Sequence, residues 1–350
     1  MVFTTDHDDG SWSVVSQCRQ SPPVDTTAPY STASLAGKTI LITGGASGFG
    51  AAFARHWAKH GSHVVIGDVN DTLGHSLVAD LRSSYPSQSF HYQHCDVTSW
   101  SDQLSLFKFA LANSPTGVIE GVVAGAGIVD MDNGFDSPRR SSTNPDSGPE
   151  EPRLKVLDVN LTGVAYTVHL GLYYLPKNGT RSDGQQRDRH ILLVSSIAGI
   201  APLPGQTEYT ASKHAVMGLF RALRGTSWRR GVRVNCINPY FVDTPLLPTS
   251  GVAILAGAPK AELEDVVDAG TRLMADEGIR GRALCIGPKL RVYDDEDGET
   301  KLIYAEDFER VEAFVWRYIG MINVMKGIAG WVGVVKDLWG IYGLGGKRGR

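Results

Sequence analysis

Short apolar runs, most of them continuous rather than alternating, recur through the middle of the chain and are separated by stretches of helical spacing. Continuous apolar runs of this length read as strands covered on both faces. Seven are expected: Thr39–Ile42, His63–Asp68, Phe90–Asp96, Val118–Ala124, His190–Val194, Val232–Ile237 and Ala283–Ile286. A helix is predicted from about Phe49 to Lys59, and Gly61 suits its end. Strand and helix alternation gives an α/β fold: a single doubly wound domain over 36–290, with a mainly parallel seven-stranded sheet and right-handed crossovers.

The flanks read differently. Residues 1–35 are polar, rich in Ser, Thr, Asp and Pro, and are expected to form a flexible tail. Segments 131–152 and 177–189 are polar surface insertions. Beyond 290 comes an acidic run, Asp294–Asp297, read as a solvated turn. Val311, Phe314, Val315, Tyr318, Ile319 and Ile322 then recur at helical spacing, so 291–350 is expected to be a C-terminal helical extension. It packs on the domain or on a second subunit, or lies on a membrane surface with its basic end, Lys347, Arg348 and Arg350. Arg317, Lys326 and Lys336 interrupt it too often for a span.

Composition adds exclusions. With 350 residues, 42% apolar and 20% charged, the chain is an ordinary globular protein. A net charge of -3 gives no reason to expect nucleic acid or an anionic membrane as the main partner. Cys18, Cys95, Cys236 and Cys285 form no CxxC pair. A reduced, cytoplasmic setting fits them better than a disulfide framework, and no metal site is expected. The chain does not open with a basic start followed by an apolar run, so no secretory signal is expected, and no window of about 20 apolar residues argues for a membrane span.

The chemistry begins in the turn Thr43–Gly50 that follows the first strand. A helix starting directly after a buried strand offers unpaired N–H groups and the positive end of its dipole. A pyrophosphate fits there when glycines let the backbone approach. Gly44, Gly48 and Gly50 supply this at spacing GxxxGxG, and the seat takes in Ser47 and Phe49. Asp68 ends the second strand 24 residues after Gly44, where a carboxylate binds both adenosine ribose hydroxyls and repels a 2′-phosphate. NAD is therefore favoured over NADP; the bland reading of Asp68 is a cap on the next helix.

Downstream, Tyr209 and Lys213 stand one helical turn apart, with Ser196 thirteen residues before the tyrosine. Tyrosine ionises near pH 10, so a base at neutral pH needs help, and a lysine on the same face favours the phenolate by charge. Making the phenol tenfold more acidic corresponds to ~1.4 kcal/mol in favour of the phenolate. Ser196 is suited to hold a substrate oxygen near the tyrosine. A YxxxK pair alone defaults to a helix-surface pair; the ordered set of glycine turn, acidic strand end, Ser and YxxxK is far more specific.

On these motifs, which span about 36–290, the chain resembles the short-chain dehydrogenase/reductase superfamily, a Rossmann-type fold. The resemblance implies a catalytic set of Ser196, Tyr209 and Lys213, with Asn160 in Val159–Gly163 as a fourth member of a proton relay. It also implies that Lys213 and Tyr209 meet the nicotinamide ribose, that Asp96 and Val97 meet the adenine, and that Thr244 lies near the nicotinamide amide. Helices at about 154–175 and 208–224 are where relatives pair, implying a homodimer or homotetramer.

Two departures stand out. The family's Asn-Asn-Ala-Gly segment is Ala124–Gly127 here, so bracing of the central sheet must come from elsewhere. The usual Pro-Gly is Pro239–Tyr240, whose ring shapes the substrate site or packs on the cofactor. The extension and Pro-Tyr look similar to dehydrogenases of fungal secondary metabolism. The stretch 246–280, with Leu246, Leu247, Ile254, Leu255 and Leu263, reads as an apolar lid or as plain core.

The expected function is NAD-dependent hydride transfer between a secondary alcohol or ketone, apolar or polycyclic, and nicotinamide. The alternatives are an NADPH-dependent carbonyl reductase and a non-catalytic NAD-binding sensor.

Overall fold

The computed structural model describes residues 20–130, 148–180, 184, 186–203, 205–246, 259–290, 292–294, 301–303 and 324. Seven strands form one sheet: β1 Thr39–Thr43, β2 His63–Asp68, β3 Phe90–His94, β4 Gly121–Ala124, β5 His190–Val194, β6 Arg233–Pro239 and β7 Ala283–Ile286. Their order is β3-β2-β1-β4-β5-β6-β7, and every neighbouring pair is parallel. The helices are α1 Gly48–Lys59, α2 Asp71–Ser84, α3 Trp100–Asn113, α4 Val164–Tyr174, α5 Thr207–Leu223 and α6 Leu263–Ala275.

Five strand ends differ from the expected ones, at β1, β3, β4 and both ends of β6, and two of the shortenings have a local cause. β3 stops at His94 because Asp96 turns to accept the Thr98 amide at 2.9 Å. β4 starts at Gly121 because the Val118 carbonyl is taken by the Ser114 hydroxyl at 2.7 Å.

The pleat divides the apolar residues into two layers. Ile40, Ile42, Val64, Ile66, Leu192 and Ile237 face one side, against Phe53 and Trp57 of α1 and Val266 and Leu273 of α6. Leu41, Val65, Val122, Ile191, Leu193 and Val234 face the other, against Phe107 of α3, Val168 of α4 and Phe220 of α5. Phe53 stacks on Trp57 with centroids 4.8 Å apart, and the Trp57 indole donates to Thr271 Oγ1 at 2.9 Å. α6 is thus a core helix, which corrects the lid reading for 263–275; Leu263 packs against the core, and Leu247, Ile254 and Leu255 lie outside the described residues.

Residues 20–35 are also docked, against the expectation of a flexible tail. The Arg272 guanidinium, buried, donates to the carbonyls of Asp25, Thr26 and Ala28 and lies 4.3 Å from the Tyr30 ring centroid. Tyr30 in turn donates to Asp268 at 2.8 Å, and Leu35 is fully buried.

The chain divides into two compact units, Met1–Leu247 with Lys260–Pro288, and Pro248–Pro259 with Lys289–Arg350. In the second, the described residues include an antiparallel strand pair, β8 Val292–Asp294 and β9 Lys301–Ile303, which sequence spacing did not suggest. The helical pattern at 311–322 and residues 131–147 of the 131–152 insertion fall outside the described residues. Among the described residues no helix is long and apolar enough to cross a membrane, and Cys95, Cys236 and Cys285 are free thiols.

The N-terminal end of β5 and β6 is held by buried charge. Arg233 binds Asp188 through two 2.7 Å contacts, and Lys38 Nζ joins the same carboxylate at 2.7 Å. Burial opposes ionisation of Asp188, but Arg233 and Lys38 outweigh it and hold the carboxyl below its usual range. Beside it His190 is fully buried, and burial with the Arg233 charge pushes its pKa well below 6.5.

The unfolded chain takes up a proton on His190 as pH falls through 6.5, whereas the folded chain excludes it. Stability is therefore expected to fall as pH drops from 7 to 5, by at most about 1.4 kcal/mol per pH unit for this one proton. Urea unfolding across that range checks this, and His190→Gln should flatten part of the slope; an equal slope in the variant would contradict it.

Candidate active site

The C-terminal end of β1 meets that of β4 without a side chain between them. Gly44 has φ +68°, and a Cβ there would lie 2.5 Å from Ala126 Cα. Gly48, at φ +50°, also occupies the left-handed region, and a Cβ on Gly50 would run into the Gly44 carbonyl oxygen. Ser47 precedes α1 in extended backbone without a capping side-chain hydrogen bond. The first helical amide bond is Ala51 N–H to Ser47 O at 3.1 Å, which leaves the amides of Gly48, Phe49 and Gly50 with no intrahelical acceptor. The Phe49 ring packs against the core, so only its backbone serves the turn.

Asp68 stands beside this turn. Its Oδ2 accepts the Ala46 amide and its Oδ1 the Asn70 amide, each at 3.0 Å. The helix cap expected as the bland reading is made instead by Asn70, whose side chain accepts from Leu73 N at 3.0 Å. Asp96 accepts from the Thr98 amide and hydroxyl, and buried Val97 packs against Gly163. Thr244 faces the same turn, its Cβ 3.9 Å from where a Gly48 Cβ would be. The residues assigned to a dinucleotide thus border the C-terminal ends of β1, β2 and β3 and the segment after β6. The close-packed glycine cradle is suited to that group.

The four assigned catalytic residues converge next to it. Ser196 follows β5 in extended backbone; its Oγ accepts the Ala198 amide at 3.1 Å and donates to Pro239 O at 3.4 Å. Tyr209 and Lys213 lie on one face of α5, with Lys213 Nζ 5.6 Å from the phenol ring centroid. Lys213 Nζ is buried and donates to Val194 O at 3.1 Å. Asn160, fully buried, bonds both backbone groups of Ile128 (Oδ1 to N–H at 2.8 Å, Nδ2 to O at 2.9 Å). A Cβ on Gly127 would sit 3.4 Å from Asn160 Oδ1 and 3.5 Å from Lys213 Nζ, so Gly127 separates the two.

The electrostatics correct one expectation. Burial pushes the Tyr209 phenol up, and the Ser196 hydroxyl pulls it partly back. The lysine is itself desolvated, its pKa lowered to about 8, so burial weakens the charge that helical spacing alone promises.

Several supporting features leave no mark in the sequence. Asn160 sits in a π-helical turn, Asp158–Gly163, inside the helical run from Lys155 to Tyr174. Such turns recur at functional sites, but apolar spacing does not reveal them. Glu208, buried beside Tyr209, accepts the Leu157 amide at 3.1 Å and ties that run to α5. Ser195 donates to Lys213 O at 3.1 Å. Where the Asn-Asn pair is missing, Thr43 Oγ1 donates to Val123 O at 3.2 Å and accepts the Gly125 amide at 3.3 Å. Tyr240 packs its ring on the α1/α6 core and lies edge-on to Phe241, centroids 4.9 Å apart.

Known proteins resemble the chain over most of its length. The family model for short chain dehydrogenase matches residues 38–251. A 5′-hydroxyaverantin dehydrogenase of Dothistroma septosporum is 36% identical over 282 residues, covering 76% of this chain and 90% of that protein. A 5′-hydroxyaverantin dehydrogenase of Emericella nidulans is 35% identical over 303 residues, covering 79% and 93%. Among solved structures, a 3-ketoacyl-(acyl-carrier-protein) reductase from Brucella melitensis complexed with NADH superposes with a TM-score of 0.58 at 25% identity, covering 72% of this chain and 97% of that one.

Because Gly44 has no room for a side chain, Gly44→Ala is expected to lower the melting temperature and weaken binding of the nicotinamide dinucleotide, tested with NAD and NADP, by at least ~10-fold, equivalent to about 1.4 kcal/mol. Thermal melts with and without each dinucleotide measure both; an undiminished dinucleotide-induced shift would count against the cradle.

Proposed function

Since the chain belongs to the short-chain dehydrogenase family, and is an oxidoreductase of the alcohol dehydrogenase/reductase type, we propose that it moves hydride between an apolar secondary alcohol or its ketone and NAD, with Tyr209 as the proton acid/base. The observation that carries this reading is the convergence of Ser196, Tyr209, Lys213 and Asn160 beside the glycine cradle. Bound nicotinamide supplies the hydride acceptor or donor. The protein's own part is to hold the substrate oxygen and to move its proton.

In the oxidative direction Ser196 Oγ binds the hydroxyl oxygen and Tyr209 Oη removes the proton. Lys213, fixed by Val194 O, and Asn160, fixed by Ile128, line the route by which that proton leaves. In the reductive direction the same phenol gives the proton back. A phenol pushed up by burial is mostly protonated at neutral pH, which suits donation and slows abstraction.

For the cofactor, Asp68 supports NAD, since its carboxylate is pinned by the Ala46 and Asn70 amides where a 2′-phosphate would have to sit. The basic ring opposite Asp68 at the end of β3, His94, is already bound to Asp71 at 2.9 Å. An apolar substrate is supported by Leu154, Ile200 and Leu246, which are exposed although they flank Asn160, Ser196 and Thr244 in sequence. We place the enzyme in the cytoplasm as a homo-oligomer, for which the exposed Trp100 and Tyr173 rings on α3 and α4 offer apolar surface.

Tyr209→Phe is expected to lower kcat by roughly 10²–10⁴-fold while NAD binding persists. The wild-type oxidation rate should rise from pH 7 to 9 as the raised phenol begins to ionise. Near-normal turnover in the variant would exclude Tyr209 as the acid/base. Asp68→Asn should erode the preference for NAD over NADP in kcat/KM; a wild-type preference for NADP would overturn the cofactor assignment and leave the proton chemistry standing.

A further inference from the structure

A cavity of about 230 Å³ opens at the N-terminal end of β5 and β6. The Ser196–Tyr209 site lies at the other end of these strands, roughly 20 Å away at ~3.3 Å of rise per residue along β6. Its walls are unusually basic. Arg187, Arg189, Arg224, Arg233 and Arg280 line it, against the carboxylates of Asp188 and Glu277.

Most of the internal pairing is already committed. Asp188 is bound by Arg233 and Lys38, Glu277 by Lys38 at 2.9 Å, and Arg187 is bound to Glu120 at 2.7 Å. Among the described residues, Arg189, Arg224 and Arg280 have no carboxylate within 4.0 Å. Arg189 Nη2 donates to Asn178 O at 2.6 Å, but its Nε is buried without an acceptor. The Nε of Arg224, at the C-terminal cap of α5, is in the same condition. A buried charged donor with nothing to donate to is destabilising, and such groups are rare in native proteins. Gly231 makes room for one of them: at φ +68°, a Cβ there would lie 2.8 Å from Arg189 Nη1.

We infer that this cavity is an oxyanion site, in which Arg189, Arg224 and Arg280 hold a tetrahedral dianion of the phosphate type. Guanidinium donors match the paired oxygens of such a group, and several of them offset its charge. The volume suits one small anion with a few waters of ~30 Å³ each. It lies below the roughly 300–1,000 Å³ of sites that enclose larger organic ligands. Free inorganic phosphate and the phosphate of a small monoester share this chemistry.

Isothermal titration of the full chain with sodium phosphate, against sodium chloride at matched ionic strength, tests the site in the wild type, Arg224→Met and Arg280→Gln. The nucleotide cradle is unchanged in all three, so phosphate bound there cancels in the comparison. Saturable binding in the wild type, weakened at least ~10-fold in each variant, is the expected result. In phosphate-free buffer Arg224→Met should melt close to the wild type, because half-buried Arg224 has no carboxylate partner to lose and its buried Nε has no acceptor. Exposed Arg280 gives a variant whose folding is not at stake. Glycerol phosphate in a parallel titration separates the two sources: tighter binding points to a monoester, weaker binding to free phosphate, and either ranking supports the site. Equal phosphate binding in all three proteins, or none in the wild type, would overturn the inference.

Discussion

The close approach of Gly44 to Ala126 is the contact on which the working end of the molecule depends. Strand order reverses between β1 and β4, so the chain leaves these two neighbours in opposite directions and a crevice opens above them. The crevice is usable only if the backbone of the first turn drops onto the end of β4. Gly44 permits that drop and Gly50 lets α1 follow it. Thr43 ties the two strand ends through Val123 and Gly125. Larger side chains at Gly44 or Gly50 would lift the turn and displace the helix amides from the crevice.

Against this fixed edge the proposed catalytic groups are positioned by burial as much as by bonding. Lys213 is anchored on a strand carbonyl and Asn160 on both polar groups of Ile128. The consequence is a lysine less basic and a tyrosine less acidic than their exposed counterparts. A neutral phenol beside a weakly basic amine is suited to passing a proton in either direction, the balance being set by what binds next to it. The opposite end of the sheet follows another rule. There Lys38, Asp188 and Arg233 form a buried charge network that joins β5, β6 and the start of β1, and the basic cavity lies beside it.

Much of this is legible in the sequence because parallel strands buried on both faces leave continuous apolar runs, such as His190–Val194. Glycine spacing and the Tyr209–Lys213 interval survive as local patterns for the same reason that they work: each is set within one turn of backbone. What the sequence hides depends on contacts between distant segments. The docking of residues 20–35 runs through backbone carbonyls held by Arg272 and through scattered side chains such as Tyr30 on Asp268, so it leaves no periodic trace in the sequence. The π-helical turn at Asn160 and the Glu208 tether leave no period. The effect of Lys213 on Tyr209 could not be judged from spacing, since burial decides it.

The most direct test of the central claim is to supply NAD with secondary alcohols deuterated at the carbinol carbon, from small to polycyclic, and to follow the label. Reduced nicotinamide is expected to form with an alcohol of the apolar, bulkier kind and to carry the deuterium at its C4. Tight NAD binding with no reduced cofactor from any member of the panel would contradict it and favour a protein that binds the dinucleotide without turning it over.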